Sequence, residues 1–409
     1  MVAPARRARR ADARVSGRGW RKGSAARLTL LFTLLYGGFG ALSPFLPPLL
    51  QARGLPPETI GAVIGAGVVA RMAVAPILGH AADARRAVCR ALAGACACSA
   101  VAAALYAAPL AGTALVALAL AQAAAQAPTA PFADASAVSA AARENFSYGH
   151  IRGLGSAAFI LGSLAGGALA ARFGATAPAL AQAALLAAAA LAALYAPEPA
   201  ARAPAEQGTM RWTELFALGD FRVVVGIAAL ALGSHALHDG FAMIYWTQAG
   251  ASPFVASVLW SESVAAEVLV FMAIGPALLR RFGERGAFAL AIGAAVLRWS
   301  VMASTAAPSA MALVEPLHGL SFALLHLTAM GVIGRAVPAA SAALAQSLYG
   351  ALGVGAATAA LSLVSGVLFG RYGGAAFWAM AAMAGLALPL VFALSQPDGR
   401  RVRGGESDR

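Results

Sequence analysis

The chain has 409 residues, of which 60% are hydrophobic and only 11% are charged. This composition is far more apolar than that of an ordinary soluble domain, and it indicates an integral membrane protein. The formal net charge of +13 could suggest a nucleic-acid partner, but the chain lacks the soluble domain that such binding normally needs. We therefore expect no nucleic-acid partner.

Apolar stretches long enough to cross a membrane occur twelve times. A bilayer core of about 30 Å needs roughly 20 apolar residues in a helix. Runs such as LAQAALLAAAALAALYA lack the alternation of a membrane-spanning strand, so the predicted fold class is all-α integral membrane. The predicted spans are 28–50, 58–79, 88–108, 111–132, 150–171, 174–196, 221–247, 254–279, 286–305, 308–334, 341–369 and 373–395.

The basic residues are distributed unequally between the two sides of the predicted spans. With the N-terminus placed inside, 25 of the 30 Lys and Arg residues fall on the inner side, and only Arg71 and Arg298 fall within spans. This bias follows the positive-inside rule, so both termini are predicted to be cytoplasmic. Residues 1–27 carry nine of the inner basic residues and are predicted to form a disordered tail. Residues 397–409 are predicted to be a second cytoplasmic tail.

An internal repeat divides the spans into two sets of six. The longest polar stretch between spans, residues 197–220, is predicted to be a linker between bundles at 28–196 and 221–396. GALAARFG at 167–174 and GVLFGRYG at 366–373 share one pattern at matching places, and GHAADARR and GPALLRRFGER match more loosely. Duplicated halves of this kind place a transport site near mid-membrane between them.

Several motifs resemble a known transporter family. The turn after the second span resembles the loop signature of the major facilitator superfamily through Gly79, Asp83, Arg85 and Arg86, and departs from it at Ala84. YGHIRGLGSAAFILGS, GFAMIYW, WSESVAAEV and LHGLSFALLHLTAM, in this order, resemble the phenylpropionate permease family of that superfamily across residues 30–395.

This resemblance implies the major facilitator fold, with 12 transmembrane helices in two pseudo-symmetric six-helix bundles. It further implies a monomer in a bacterial inner membrane, with membrane lipid, protons and a small-molecule substrate as its partners and no cofactor. An aromatic monocarboxylate is the substrate that the resemblance favours.

Charged residues inside the spans are few, and each needs a reason. A charge at the bilayer centre costs about 3 kcal/mol or more, so it usually serves a purpose. Glu267, near the middle of the eighth span, is the favoured proton site, because a carboxylate in a low-dielectric site can stay neutral until water or a cation reaches it. The alternative is a permanent ion pair with Arg298 or Arg71. The other candidates for proton coupling are Asp239, His318, Glu262 and Glu315.

The sequence allows more than one role for two of these acids. Asp239 could form a proton relay with His235 or His238, or it could pair with Arg298. Glu262 could be an added functional group or an outward, water-facing residue. His235, His238 and Asp239 could also be metal ligands, but a fourth ligand in a recognisable motif is missing, so we expect no metal site.

Arg298, His318 and Glu267 also resemble, more distantly, the coupling and binding set of lactose permease. That permease has a carboxylate one turn after its histidine, where this chain has Ser321, and here Glu315 lies one turn before the histidine instead. The resemblance therefore leaves the identity of the coupling carboxylate open.

Two arginines within spans are candidates for binding an anionic substrate. A guanidinium stays charged and can hold a carboxylate with two parallel hydrogen bonds, although Arg71 or Arg298 could instead neutralise Glu267. Other residues that could bind substrate are Tyr36, Gln122, Gln126, Gln346, Tyr349 and His326. Asp83, Arg85, Asp134 and Arg152 lie at cytoplasmic ends, where they could be ion-paired gate residues or solvated helix termini.

The predicted function is proton-coupled symport of a small organic solute by alternating access. A sugar or nucleoside proton symporter and a non-transporting membrane sensor remain as alternatives. An enzyme is not expected, and no catalytic residue is predicted, because the spans contain neither G-x-S-x-G with a paired base nor H-E-x-x-H.

Overall fold

The computed structural model describes residues 5–200 and 210–395, with side chains from residue 23 onward. No β-strand occurs in these two ranges. The first half contains α1 (Ala5–Leu42), α2 (Leu46–Ala52), α3 (Pro57–Ala84), α4 (Val88–Leu105), α5 (Gly112–Gln126), α6 (Thr129–Glu144), α7 (Tyr148–Phe173) and α8 (Ala177–Leu194).

The second half is more interrupted than the first. It contains α9 (Trp212–Ala217), α10 (Gly219–Ala231), α11 (Ala236–Gln248), α12 (Pro253–Leu269), α13 (Gly275–Ser304), α14 (Pro308–Val314), α15 (Leu325–Ala336), α16 (Ala342–Leu348), α17 (Ala357–Tyr372), α18 (Phe377–Gly385) and α19 (Leu388–Val391). Short 3₁₀ segments lie at Gly233–His235, Glu315–Leu317, Ala339–Ser341 and Gly373–Ala376, and π segments at Val270–Ile274, Gly319–Leu324 and Tyr349–Ala356.

The helices are long and apolar enough to cross a membrane many times. Within the described residues, ten helical stretches qualify, and two of them, Pro253–Ser304 and Ala339–Phe392, have 52 and 54 residues. At 1.5 Å per residue each of these two is about 80 Å long, enough for two crossings. Each also contains a glycine with positive φ: Gly283 lies between two predicted spans, and Gly373 is the first residue of the twelfth. The ten stretches are therefore consistent with twelve spans.

The structure differs from the sequence prediction at the N-terminus. Helix α1 begins at Ala5, inside the segment that was predicted to be a disordered tail. Alanine and arginine dominate this segment, and both have high helix propensity, which favours continuation of the first span toward the N-terminus. Positions 201–209 of the predicted linker and the predicted tail 397–409 lie outside the described residues.

Three hydrophobic clusters show how the two halves meet. One cluster, near residues 42–63 of the first half and 237–259 of the second, combines side chains from both halves. We call this end of the molecule the far face. At the opposite end, the near face, each half has its own cluster, around residues 82–100 in the first half and 325–349 in the second. The halves are therefore joined at the far face.

Glycines allow the helices of the two halves to touch at the far face. A Cβ atom at Gly61 of α3 would collide with the backbone of Ser362 and Gly366 of α17, and one at Gly366 would lie 2.6 Å from the carbonyl oxygen of Pro57. A Cβ atom at Gly167 of α7 would collide with the Ser257 side chain of α12 and would lie 2.9 Å from the Pro253 carbonyl oxygen. Gly61 and Gly366 thus bring the backbones of α3 and α17 into direct contact.

Hydrogen bonds to Glu198 at the near face fix the turn between α3 and α4. The Glu198 carboxylate, just after α8, accepts hydrogen bonds from the backbone N–H groups of Val88 and Cys89, the latter at 3.1 Å. These are free donors of the first turn of α4, where a negative charge is favoured. The carbonyl of Pro197 also accepts a hydrogen bond from the Ser136 hydroxyl at 2.6 Å.

We expect Gly366→Val to open the far face. The added side chain meets only backbone atoms of α3, and overpacking of this kind costs about 1–3 kcal/mol, enough to shift a two-state equilibrium by a factor of about 5 to 150. The measurement is the distance between spin labels at Thr59 and Tyr372, in a background with the three cysteines replaced by serine. Gly153→Val is the matched control, because a Cβ there meets no atom within 4 Å. An unchanged distance distribution in Gly366→Val would contradict the expectation.

Candidate functional site

A cavity with several polar residues in a mostly apolar wall lies between the two halves near the middle of the helices. Its volume is about 200 Å³, and its wall comes from α1, α2, α3, α5 and α8 of the first half and from α11 of the second. The lining residues are Leu42, Ser43, Leu46, Pro47, Val63, Ile64, Gly67, Arg71, Ala119, Gln122, Ala123, Gln126, Gln182 and Asp239. Four residues that the sequence singled out, Arg71, Gln122, Gln126 and Asp239, thus line one cavity.

Amide side chains form one wall of this cavity. Gln122 and Gln126 lie one turn apart on α5, so both face the same side of that helix. The Gln122 amide donates to the Gln182 side-chain oxygen at 2.6 Å, and the Gln182 amide donates to the Gly38 carbonyl at 3.1 Å. This chain of hydrogen bonds ties α5 to α8 and α1 and fixes the orientation of the wall.

The two charged residues of the cavity come from different halves. Arg71 of α3 makes no hydrogen bond or ion pair with any other described side chain, and it is exposed to the cavity. The Asp239 side chain of α11 is 49% exposed, and its Oδ1 lies 3.3 Å from Nδ1 of His238. The cavity therefore offers an unpaired cation on one wall and an accessible carboxylate on the other.

Behind Asp239 lies a buried cluster centred on Arg298. Arg298 and Glu315 have no exposed side-chain surface, and their Nη2 and Oε2 atoms are 2.5 Å apart. The guanidinium also lies 2.9 Å from Nε2 of His238 and 3.0 Å from Nδ1 of His318. A guanidinium has five N–H donors and no acceptor, so this cluster supplies acceptors to a charge that is removed from water.

The two histidines link Arg298 to acidic side chains. In His238, Nε2 lies 2.9 Å from the Arg298 guanidinium and 3.2 Å from Oε2 of Glu315, and Nδ1 lies 3.3 Å from Oδ1 of Asp239. In His318, Nδ1 lies 3.0 Å from the Arg298 guanidinium and Nε2 lies 3.5 Å from Oε2 of Glu267. Polar contacts thus connect Asp239 to Glu267 through the buried cluster.

The helices are irregular where this cluster forms. Glu315 begins a 3₁₀ segment, His318 directly precedes the π segment Gly319–Leu324, and Glu267 lies just before the π segment Val270–Ile274. Pro316 lacks a backbone N–H and cannot continue a regular helix. A Cβ atom at Gly319 would lie 2.5 Å from the Ala266 carbonyl oxygen, so this glycine lets the two helices approach closely. Single-turn π segments are frequent at functional sites.

Two ion pairs that the sequence left open as alternatives do not form in this structure, and Arg298 lies outside the cavity. The Glu267 carboxylate, 27% exposed, pairs with neither Arg298 nor Arg71, because Glu315 occupies the Arg298 guanidinium and His318 is the neighbour of Glu267. Asp239 contacts His238 and does not pair with Arg298. Arg298, a predicted substrate ligand, is enclosed within the second half and does not line the cavity.

The remaining predicted substrate and coupling residues lie away from the cavity. Tyr36 is nearly buried and lies beneath the Arg152 guanidinium, which is 4.4 Å from the ring centre. The Tyr349 hydroxyl is 3.3 Å from Nδ1 of His326 inside the second half. Gln346 is exposed and Glu262 is half-buried, and neither lines the cavity.

Three of the four predicted gate residues form side-chain hydrogen bonds with described residues, and all of these partners lie in the first half. Asp134 accepts a hydrogen bond from the Tyr148 hydroxyl at 3.0 Å, and Arg152 lies 3.3 Å from the Ser156 hydroxyl. Arg85 donates to the Ala81 carbonyl at 3.3 Å, and Asp83 lines a separate cavity beside Glu198. No ion pair between described residues joins the two halves.

Sequence reasoning missed two polar residues of the site, Gln182 and Ser43, which line the cavity. His235, a relay candidate from the sequence, lies 3.1 Å from the Ser321 hydroxyl beside the buried cluster. A glutamine inside an alanine-rich span was the available signal for Gln182. Within residues 5–200 and 210–395, no group of three or more His, Cys, Asp or Glu residues is placed to hold a metal ion.

Comparisons with known proteins agree with this architecture. The chain is 31% identical over 377 residues to the probable 3-phenylpropionic acid transporter of Escherichia coli (strain K12), covering 89% of this chain and 96% of that protein. The crystal structure of the nucleoside transporter NupG superposes with a TM-score of 0.73 at 20% identity, covering 90% of this chain and 98% of that chain.

A bacterial homologue of the human lysosomal transporter Spinster, in an inward-facing and unoccupied conformation, superposes with a TM-score of 0.71 at 13% identity. This match covers 92% of this chain and 99% of that one. The sequence profile of the MFS_1 like family matches residues 25–380. The fold, the central cavity and these matches together show that the chain belongs to the MFS_1 like family and is a multi-pass membrane transporter with the major facilitator fold.

Proposed function

We propose that the protein is a proton-coupled symporter of a small organic solute, and that this solute is an aromatic monocarboxylate such as 3-phenylpropionate. The observation that supports this most is a single cavity shared by Arg71 of the first half and Asp239 of the second. The name of the Escherichia coli relative, a probable 3-phenylpropionic acid transporter, supports the choice of substrate.

Arg71 is the residue that would hold the carboxylate. Its guanidinium is charged at all physiological pH values and matches a carboxylate with two parallel hydrogen bonds. The side chains of Leu42, Leu46, Val63 and Ile64 supply apolar surface in the same cavity. A substrate with an apolar ring and one carboxylate fits such a cavity. In mostly apolar ligand pockets, a few polar groups at defined positions determine how the ligand is oriented.

Asp239 is the carboxylate that would couple the proton to the substrate. A charged Asp239 would repel a substrate anion in the same cavity and would compete for Arg71, whereas a neutral Asp239 would do neither. Substrate and proton therefore favour each other's binding, and this coupling is reciprocal by thermodynamic linkage. Uptake is expected to rise as the pH falls on the side from which the substrate enters.

Glu267 retains a role in this proposal at the other end of the buried cluster. The contacts from Asp239 through His238, Arg298 and His318 reach Glu267. Because Arg298 keeps its charge, it would serve as the fixed centre of this network rather than as a proton carrier. We infer that Glu315 holds that centre in place, while Asp239 and Glu267 are the groups whose protonation changes during transport.

The arrangement of the halves supports alternating access. The shared hydrophobic cluster and the glycine contacts close the far face, while the near face has separate clusters. Rocking of two bundles around a central site is the usual mechanism of such folds. With the positive-inside bias, we propose that the near face and both termini are cytoplasmic, in a bacterial inner membrane, and that the protein acts as a monomer.

A second candidate function is proton symport of a sugar or nucleoside. The amides of Gln122, Gln126 and Gln182 line the cavity and could exchange hydrogen bonds with hydroxyl groups. In that case Arg71 would not bind a substrate charge. Competition of uptake by neutral polyols or nucleosides, without competition by 3-phenylpropionate, would favour this function.

We expect Arg71→Gln to weaken binding of 3-phenylpropionate about tenfold to hundredfold, because hydrogen bonds to charged groups contribute about 1.5–3 kcal/mol. The measurement is the concentration dependence of uptake into proteoliposomes, with Arg71→Lys expected to lie between the wild type and the glutamine variant. Competition by neutral 3-phenylpropanol should be equal in the wild type and in Arg71→Gln. If the apparent affinity for the acid were the same in both, Arg71 would not be the ligand of the carboxylate.

We expect Asp239→Asn to abolish accumulation against a gradient but to keep exchange. The amide stays neutral, so substrate can bind and cross, whereas an imposed pH gradient can no longer drive uptake, which should fall about tenfold or more. Proteoliposome assays of gradient-driven uptake and of counterflow separate the two activities. Glu267→Gln, measured in parallel, tests the site that the sequence favoured. If both variants still accumulated substrate against its gradient, and if a protonophore did not abolish this accumulation, proton coupling would be refuted.

We expect Glu315→Gln to destabilise the fold by about 3–5 kcal/mol, because it leaves the buried Arg298 charge without its counter-ion. Thermal unfolding of the purified protein in detergent measures this loss. Glu262→Gln is the control, since Glu262 is half-buried and forms no ion pair with a described residue. Adding Arg298→Met to Glu315→Gln should restore much of the stability. If Glu315→Gln and Glu262→Gln had equal melting temperatures, the Arg298–Glu315 ion pair would not stabilise the fold.

A further inference from the structure

A second concave surface lies on the outside of the first half, at the near face. It is a groove of about 620 Å³ between α3, α4, α5 and α6, and it shares no residue with the central cavity. Its lining residues are Val74, Leu78, Ala81, Ala82, Arg85, Ala87, Arg90, Ala91, Gly94, Ala95, Cys98, Ala124, Ala125 and Phe132. Twelve of these fourteen are apolar or small, and the other two are arginines.

The groove faces the membrane rather than the other half. Helix α4 packs on α3, α5, α6 and α8, all of which belong to the first half. Its outward side is exposed along Arg90, Gly94 and Cys98, and Val101 beyond them is 61% exposed. Because α3 and α4 are both membrane-spanning in length and composition, the apolar part of the groove lies at the depth of lipid chains.

The charges at the end of the groove are of one sign. Arg85 ends α3 and Arg90 lies in the first turn of α4, and both are exposed. Neither forms an ion pair with a described residue. The nearby acids, Asp83 at the end of α3 and Glu198 after α8, line a different cavity. A negatively charged group is therefore favoured where the groove meets the headgroup region.

The shape of the groove suits an extended hydrocarbon chain. From Arg90 to Cys98 the helix rises about 12 Å at 1.5 Å per residue. The side chains that line this length, at Ala91, Gly94, Ala95 and Cys98, are small, and a Cβ atom at Gly94 would meet no atom within 4 Å. Apolar surface of this kind is stabilised when a hydrocarbon chain covers it with close contacts.

We propose that this groove binds one anionic phospholipid. Its phosphate lies between Arg85 and Arg90, and one acyl chain runs along α4 past Gly94 to Cys98. A free phosphate ion would use only the arginines and leave the apolar length empty, so the groove favours a lipid over a soluble anion. The site is on the outer surface of the first half, and its occupancy does not depend on which solute the central cavity carries.

The experiment is native mass spectrometry of the purified full chain with dioleoylphosphatidylglycerol or dioleoylphosphatidylcholine. We expect the wild type to retain one phosphatidylglycerol at least about tenfold more tightly than phosphatidylcholine, since two arginines near an anionic headgroup contribute about 1 kcal/mol each. R85Q/R90Q should reduce phosphatidylglycerol binding to the level of phosphatidylcholine. Gly94→Phe, which fills the groove, should lower the retention of both lipids.

Two matched controls use the second half. R280Q/R281Q removes two exposed arginines from the corresponding turn, and Gly293→Phe adds a ring at an exposed glycine whose Cβ would also meet no atom within 4 Å. Both controls should retain phosphatidylglycerol like the wild type. Circular dichroism and thermal unfolding establish that each variant is folded.

Three results would overturn the proposal. Equal retention of the two lipids by the wild type would remove the role of the arginines. Equal loss in R85Q/R90Q and R280Q/R281Q would show only general attraction of anionic lipid to basic residues. Full retention by Gly94→Phe, or displacement of the lipid by millimolar inorganic phosphate, would show that the apolar groove does not hold the acyl chain.

Discussion

The second half of the molecule depends on satisfying one charge, the guanidinium of Arg298. A charge that is removed from water in the membrane interior is very costly unless counter-ions and acceptors surround it. Glu315, His238 and His318 provide these, and they come from two separate segments of the chain, His238 from α11 and the other two from the stretch that begins with α14. The helices must bring these side chains to one point, and the 3₁₀ and π segments at Glu315 and Gly319 are the local distortions that accompany this convergence.

The two halves divide the chemistry of the site unequally. The first half gives the cavity its cation and its amides, and it is built from long, regular helices. The second half gives the cavity one carboxylate, Asp239, which is the end of a much larger polar network behind it. In this pseudo-symmetric fold, the first half thus supplies the wall that would bind the substrate, and the second half supplies the wall that carries a titratable group. Movement of one half relative to the other would change the distance between Arg71 and Asp239. The protonation of Asp239 would therefore depend on the conformation of the transporter.

Much of the fold could be predicted from the sequence, because length and hydropathy determine membrane spans almost independently of tertiary packing. The residues of the cavity were harder to identify. Gln122 and Arg71 could be found because polar side chains in an apolar span must face protein or water. Arg298 satisfies the same rule, but whether it faces the cavity or a neighbouring helix depends on helix rotation and on the turn at Pro316. Those follow from packing that a single sequence does not reveal.

The contact that closes the far face has a thermal consequence. It consists of apolar side chains and glycine backbones, and no ion pair between described residues crosses it. Separating such a surface exposes hydrocarbon to water, which carries a large positive heat capacity and becomes less unfavourable on cooling. The balance between the two access states should therefore be sensitive to temperature and nearly insensitive to ionic strength, unlike that of a carrier whose gate is built from salt bridges.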